Sequence, residues 1–363
     1  MKDYTDCPGI ARIAGISTAL PPHRFEQDAA LGLVEKWLEE SPEPPELPVK
    51  RVAGVFRNSK TETRYSVLPI EDLFKDTPFC EKNRLYMENA KTLGEEALTK
   101  VFDECGVDPS EIDLFITTSC TGFMIPSVDA YLMNLFHFRD DVKRLPITEL
   151  GCASGVTALR TAYDYLRGWP GSTVLVLSIE LCSLNFHPED VSADHIISTA
   201  IFGDGAAAMV VTDKPRPGLQ ISKTKTHFFP DTLDFMGFDV ESTGFHIFLS
   251  RSIPGFVKQN LCSTVKPFLS ESCHCIGDID AWLFHPGGLR ILEGIEKVLS
   301  LDEGDTFESR EVLRRYGNLS SATILFVLDT YIRQSEKADG AHQVIGAVGP
   351  GFQLELALAE WRE

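Results

Sequence analysis

An α/β fold built from two similar halves is what the sequence predicts, on three observations. Strand-like apolar runs alternate with helical stretches from one end of the chain to the other, the pattern of mixed layers rather than of separate all-α or all-β pieces. A polar, proline-rich turn at residues 212–218 follows the apolar run 206–211 and divides the chain. On each side of it the same order of parts recurs. Residues 113–120 and 280–285 are apolar runs that end in small or polar residues, and residues 203–211 and 349–357 each pair a glycine turn with a strand. The expected organisation is therefore a duplicated half-fold, 1–213 and 214–363, rather than an array of short repeats. At 363 residues there is enough chain for more than one ordinary core.

Taken in order, residues 1–17 carry acidic side chains where a secretory signal is basic, and they lack a continuous apolar core, so export is not expected. Residues 40–48 are too rich in proline for regular structure and predict an exposed loop. Residues 144–148 read as a strand that leads into Leu150-Gly151-Cys152-Ala153-Ser154-Gly155. The helical run 156–166 follows, ended by Pro170 and Gly171. Residues 174–179 predict a strand buried on both faces. In the second half, a strand ending at His285 precedes a Pro-Gly-Gly turn and a helix over 290–299. Asn318 lies on a small-residue turn ahead of a helical run over 324–331.

Composition excludes several classes of function. The hydrophobic share of 43% and the charged share of 24% are ordinary for a globular protein. No stretch approaches the roughly 18 apolar residues of a membrane helix, so a soluble, cytoplasmic protein is expected. A formal charge of -19 argues against nucleic-acid binding, and any anionic substrate needs a few local cations to overcome the acidic surface. Nine scattered cysteines have no framework spacing, so no disulfide scaffold is expected. Cys273-His274-Cys275 lacks the second ligand pair of a structural zinc site, and no metal is expected there.

Three segments carry chemistry. Cys152 sits on a tight turn feeding a helix N-terminus, whose unpaired N–H groups favour thiolate and are expected to lower the thiol pKa toward neutrality. Taken alone, the same cysteine also fits a small buried hydrophobe. His285, at the exit of an apolar strand, is in an unusual place for a core histidine, whereas Asn318 also fits an ordinary helix cap. Together the three are what thioester exchange followed by decarboxylative condensation requires. A thiolate holds the acyl chain, while neutral histidine and asparagine donate hydrogen bonds to the carbonyl of the extender as its carboxylate leaves.

With Gly151-Cys152, Phe202-Gly203-Asp204-Gly205-Ala206-Ala207-Ala208, His285-Pro286-Gly287-Gly288 and Gly317-Asn318-Leu319-Ser320-Ser321 in view, the chain resembles the type III polyketide synthases. These are the chalcone synthase-like enzymes of the thiolase superfamily; the likeness to the family runs over nearly the whole length, and Thr118-Ser119-Cys120-Thr121-Gly122-Phe123 resembles its bacterial members. The resemblance implies a thiolase-like five-layered αβαβα fold and a homodimer, with Ile125 near the partner. It also implies no bound cofactor, CoA thioesters as substrates, and catalysis by Cys152, His285 and Asn318. Phe202 is implied as a gatekeeper, and Ile247 stands where plant members have a second, phenylalanine gatekeeper. Cys120, Asn185 and Ser320 are implied to line the cavity, with Gly351 in a loop that departs from the family's GFGPG as Ala347-Val348-Gly349-Pro350-Gly351. Arg51, Arg57, Gly287 and Arg290 fall nearest the positions used for CoA, although each arginine also fits a solvated surface. The implied reaction loads an acyl-CoA starter, extends it with malonyl-CoA and cyclises it to an alkylpyrone, alkylresorcinol or tetrahydroxynaphthalene. An aliphatic Ile247 suits a long alkyl starter. Two rival readings remain, an initiating β-ketoacyl-ACP synthase and a cysteine acyl hydrolase. The Pro-Gly-Gly after His285 departs from the Gln-Ala-Asn of the first, and the glycine turns argue against the second.

Overall fold

Period-two alternation sorts the strand side chains into separate cores, and those cores define the layers. In the computed structural model, which describes residues 10–363, the first half runs β1 (Ala11–Ala19), β2 (His23–Glu26), α1 (Gln27–Glu40), α2 (Val49–Ser59), β3 (Thr63–Ser66), α3 (Ile70–Leu73), α4 (Phe79–Cys105), β4 (Leu114–Thr118), α5 (Val128–Leu135), β5 (Lys143–Ile147), α6 (Ser154–Gly168), β6 (Thr173–Leu181), α7 (Ala193–Ile201) and β7 (Asp204–Thr212). The second half runs β8 (Gly218–Phe228), β9 (Met236–Glu241), β10 (Gly244–Leu249), α8 (Ile253–Ser270), β11 (Ala281–Phe284), α9 (Leu289–Leu299), α10 (Phe307–Tyr316), α11 (Thr323–Gln334), β12 (His342–Gly349) and β13 (Gln353–Arg362). Cys7 and the start of the acidic N-terminal stretch lie outside the described residues.

Nine strands form one continuous sheet in the order β11-β12-β13-β8-β1-β7-β6-β4-β5. The duplication is visible in the pairing. In the first half β1 and β7 are antiparallel, β7 and β6 antiparallel, and β6 and β4 parallel. In the second half β8, β13, β12 and β11 repeat that sequence of pairings. The runs matched in the sequence, 113–120 with 280–285 and 203–211 with 349–357, are thus equivalent strands, β4 with β11 and β7 with β13. β1 lies between β7 and β8, which carries the sheet from one half into the other.

Alternate residues of each strand face different helices. Val174 and Val176 of β6 join Leu283 of β11 and Ala357 of β13 in a central core around α6 and α11. Leu175, Leu177 and Ile179 face the opposite way, onto α4, whose Ala90, Leu93, Ala97 and Val101 recur at helical spacing. Trp282, Phe284, Leu354, Leu356 and Leu358 pack on α8 and α9 in the third core. The result is helix, sheet, paired central helices, sheet, helix, the five-layered arrangement expected. A further cluster joins α1, α2 and α7 beside the first half. The loop expected over 40–48 is irregular past Glu40, the last residue of α1.

Candidate active site

Two equivalent corners of the duplicated fold meet in the middle of the molecule. In the first half β5 delivers the chain into a one-turn 3-10 segment, Gly151–Ala153, that opens α6. Gly151 has φ +49°, and a Cβ there would lie 2.8 Å from Pro350, so both the backbone conformation and the space demand glycine. In the second half Ser320–Ala322 makes the corresponding turn into α11. The turns touch, because a Cβ at Gly155 would meet the Ser321 carbonyl oxygen at 2.4 Å. This close approach brings the Cys152 Sγ to 3.6 Å from the Ser320 Oγ.

Asn318 is fixed just before that turn and does not cap α11 with its side chain. Its Oδ1 accepts from the Ser320 N–H at 2.8 Å, its Nδ2 donates to the Gly287 carbonyl at 3.2 Å, and its main chain bonds to Ile201 and Gly203. His285 follows β11 and is held by its N–H to the Gly346 carbonyl at 2.8 Å. The imidazole is 2% exposed, yet neither ring nitrogen has a hydrogen-bond partner among the described residues. Buried polar groups are rarely left so, and a catalytic role that awaits a ligand is one of the few physical reasons for it.

A cavity of about 430 Å³ opens from the thiol. Of the residues expected to line it, Cys120, Asn185, Phe202, Ile247 and Ser320 do so beside Cys152. Gly351 does not. At φ +124° it turns the chain away, and Pro350 forms that part of the wall. His285 and Asn318 stand behind the lining rather than in it. The expected CoA residues are not brought to the cavity either. Arg51, Arg57 and Arg290 are exposed on α2 and α9, form no ion pair among the described residues, and contribute nothing to the lining, while Gly287 serves through its carbonyl on Asn318. Cys273 and Cys275 are exposed, and neither belongs to a metal-ligating group among the described residues.

The electrostatics correct one expectation. Burial pushes the Cys152 thiol up to about 11, with the Glu180 carboxylate adding to the rise, while hydrogen bonding from Ser320 and Asn318 pulls the other way. Desolvation by burial outweighs the helix start that was expected to bring the thiol toward neutrality. Burial alone holds the His285 imidazole down at about 3, so it is neutral and able to accept or donate one proton.

Sequence reasoning missed two buried charged groups. Glu180, at the end of β6, accepts from Thr121 Oγ1 at 2.8 Å, from the Cys120 N–H at 3.1 Å, and from the Ser321 hydroxyl, which ties three wall segments together. A lone acid at the end of an apolar strand was the available signal. Arg64, on the short strand β3, lines the cavity while only 4% exposed, and nothing local in the sequence announces that burial. The β9–β10 hairpin was also missed, although it supplies Met236, Phe238, Phe245 and Ile247 to the wall.

Comparisons with known proteins agree with this geometry. Family models for the N-terminal and C-terminal domains of chalcone and stilbene synthases match residues 3–215 and 220–360. The chain is 35% identical to a 1,3,6,8-tetrahydroxynaphthalene synthase of Streptomyces peucetius, covering 96% of this chain and 93% of that protein. It is 30% identical to an alpha-pyrone synthesis polyketide synthase-like protein of Mycobacterium tuberculosis, covering 95% and 90%. The crystal structure of the tetrahydroxynaphthalene synthase of Streptomyces coelicolor, a bacterial type III polyketide synthase, superposes with a TM-score of 0.92 at 30% identity, covering 97% of this chain and 99% of that one.

Proposed function

Because the chain belongs to the chalcone and stilbene synthase family and is a type III polyketide synthase, we propose that Cys152 is the residue that carries its growing acyl chain. The observation that supports this reading is that Cys152 and Ser320 meet in the cavity wall, with Asn318 hydrogen-bonded to Ser320 behind it and a buried His285 whose ring nitrogens have no partner among the described residues. In the proposed cycle the Cys152 thiol passes its proton to His285, and the thiolate attacks the starter carbonyl. The carbon–sulfur bond to CoA breaks, and the departing CoA takes the proton. Malonyl-CoA then loses CO₂, and the electron pair of the broken carbon–carbon bond becomes an enolate stabilised by N–H donors from His285 and Asn318. The enolate carbon attacks the Cys152 thioester, which forms the new carbon–carbon bond and frees the thiolate. None of these steps calls for a bound cofactor.

The preferred starter in this proposal is an aliphatic acyl-CoA, which gives an alkylpyrone or alkylresorcinol, whereas malonyl-CoA serving as its own starter gives a tetrahydroxynaphthalene. In support, the aliphatic Ile247 lines the cavity together with Phe202, and Ala30 and Val34 of α1 belong to the same wall. We also propose a cytoplasmic homodimer. No helix of the described residues is long and apolar enough to cross a membrane.

The test is incubation of the pure protein with malonyl-CoA and short, long-chain and aromatic acyl-CoA starters, with CoA release and product mass followed, beside Cys152→Ala. Triketides or longer products that depend on Cys152 are expected. Release of free acid without condensation would favour a hydrolase, and a requirement for carrier protein would favour a single-step ketoacyl synthase.

A further inference from the structure

Arg64 is an unusual cation. Its side chain is 4% exposed, yet no carboxylate lies within ion-pair distance of it among the described residues. Its hydrogen bonds go to neutral oxygens instead. Nε donates to Gln27 Oε1 at 3.0 Å, and Nη1 donates to the carbonyls of Thr199 and Phe202, both at 2.7 Å. Nη2 makes no hydrogen bond to any described residue. Asp204 acts on the guanidinium only through space, since its own oxygens accept from Ser183 and Val67. Burial draws Arg64 down to about 9, which still leaves it charged at neutral pH.

A buried charge is ordinarily paired, because an unpaired one carries an uncompensated desolvation cost. Here the side chain lines the cavity that also holds Cys152, with its guanidinium carbon 5.1 Å from the centre of the Phe25 ring, and the one carboxylate in that lining, Glu149, is not within ion-pair distance of it. The site is adjacent to the chemistry as well. Phe202, whose carbonyl Arg64 holds, bridges to Asn318, and a Cβ at Gly317 would come within 3.1 Å of the Arg64 Cδ. For a protein of net charge -19, this is a local cation placed where an anionic substrate group must arrive. The two thioesters of the reaction differ in that respect. An aliphatic starter is uncharged at its acyl end, whereas malonyl-CoA carries a carboxylate there.

We propose that the Arg64 guanidinium, through Nη2, binds the carboxylate of the incoming malonyl group and so selects the extender over uncharged acyl-CoAs. The contact is made before CO₂ departs and is lost with it. It therefore acts on affinity, and its removal raises KM for malonyl-CoA without lowering kcat. Damage to the gate, by contrast, lowers kcat and affects every thioester alike.

The inference rests on the polyketide synthase reading, and the experiment separates the two. Equilibrium binding of malonyl-CoA and acetyl-CoA is measured on Cys152→Ala protein, which cannot be acylated, with and without Arg64→Met. With Arg64 present, malonyl-CoA is expected to bind about ten- to a hundredfold more tightly, the scale of a charge-assisted hydrogen bond. Arg64→Met is expected to erase that preference and leave acetyl-CoA affinity as it was. Equal affinities with Arg64 in place overturn the proposal, as does a preference that survives Arg64→Met. A parallel loss of both ligands also overturns it and reduces Arg64 to a support of the gate. If Arg64→Met fails to fold, the comparison of the two thioesters on Cys152→Ala protein decides alone. Wild-type protein that condenses malonyl units without discriminating defeats only the Arg64 assignment, and protein that neither binds nor condenses CoA thioesters defeats both readings.

Discussion

The His285 imidazole is neutral, buried and without a hydrogen-bond partner among the described residues, and this has a consequence for stability as well as for catalysis. Its pKa is about 3 in the folded chain against an ordinary value of 6.5, so between these limits the unfolded chain binds a proton that the folded chain refuses. Stability is therefore full above 6.5 and falls as the pH drops toward 3. His195 and His187, lowered by burial to about 3 and about 4, act in the same direction. Asp204, raised to about 6 by burial, acts in the opposite one. Glu180, Asp329 and Glu355, also raised by burial, act with Asp204, so the part due to His285 is read as the difference between the wild-type chain and a His285 variant rather than from the total slope. His285→Gln is expected to recover about 2 kcal/mol of the loss between pH 6.5 and pH 5, as a shallower dependence of Tm on pH. An unchanged slope would mean that the imidazole is solvated. The gate offers a second test on the same scale. Ile247→Phe adds bulk to the passage and is expected to lower kcat/KM for long-chain starters about tenfold while hardly affecting acetyl-CoA, as competition assays with mixed starters would show.

At the scale of elements, what could be read in advance followed from periodicity. β6 is buried along its whole length because both its faces are covered, and the first turns of α6 and nearly all of α11 are buried all round because they lie between the two sheet layers. The turns that present Cys152 and Asn318 were legible because small residues and glycine cluster where two backbones nearly touch. The β9–β10 hairpin was not. Its residues are half-buried without alternation, since one face covers a cavity rather than a packed core. Arg64 escaped for a related reason: its burial depends on segments far apart in sequence that only the fold brings together. The hairpin is held by few bonds. The Leu249 N–H donates to Asp194 Oδ2 at 2.9 Å, His187 Nε2 bonds to the Phe245 carbonyl at 3.0 Å, and the His187 and His246 rings stack at 3.9 Å. Asp194→Ala removes a charged acceptor and is expected to cost about 1–3 kcal/mol of hairpin docking. Faster limited proteolysis between residues 241 and 244 would register it, and an unchanged cleavage rate would mean that the aromatic contacts suffice.

For the whole molecule, the order of strands leaves β5 at one end of the sheet with its side chains exposed. Uncovered edges of parallel strands are uncommon, because they present unpaired backbone groups to any other chain. α5 and the turn before it, tied to this edge through Arg144 of β5 on Asp129 and Ser127, are apolar at the surface, with Ile125 81% exposed, Phe123 53% and Tyr131 and Leu135 both 40%. Scattered apolar side chains need no explanation, but a group of them next to an open sheet edge is what a twofold partner covers. Self-association must also overcome repulsion between two chains of charge -19, which requires this apolar area to be buried rather than merely near. The protein is accordingly expected to scatter light at twice its chain mass of 40.3 kDa at micromolar concentration. Ile125→Asp, which places a charge where the apolar contact would form, is expected to weaken the dimer at least about a hundredfold, within the cost of an unpaired buried charge. A wild-type chain that is monomeric at that concentration would remove the dimer from the proposal. A variant that still dimerises would keep the dimer and move its interface to another face.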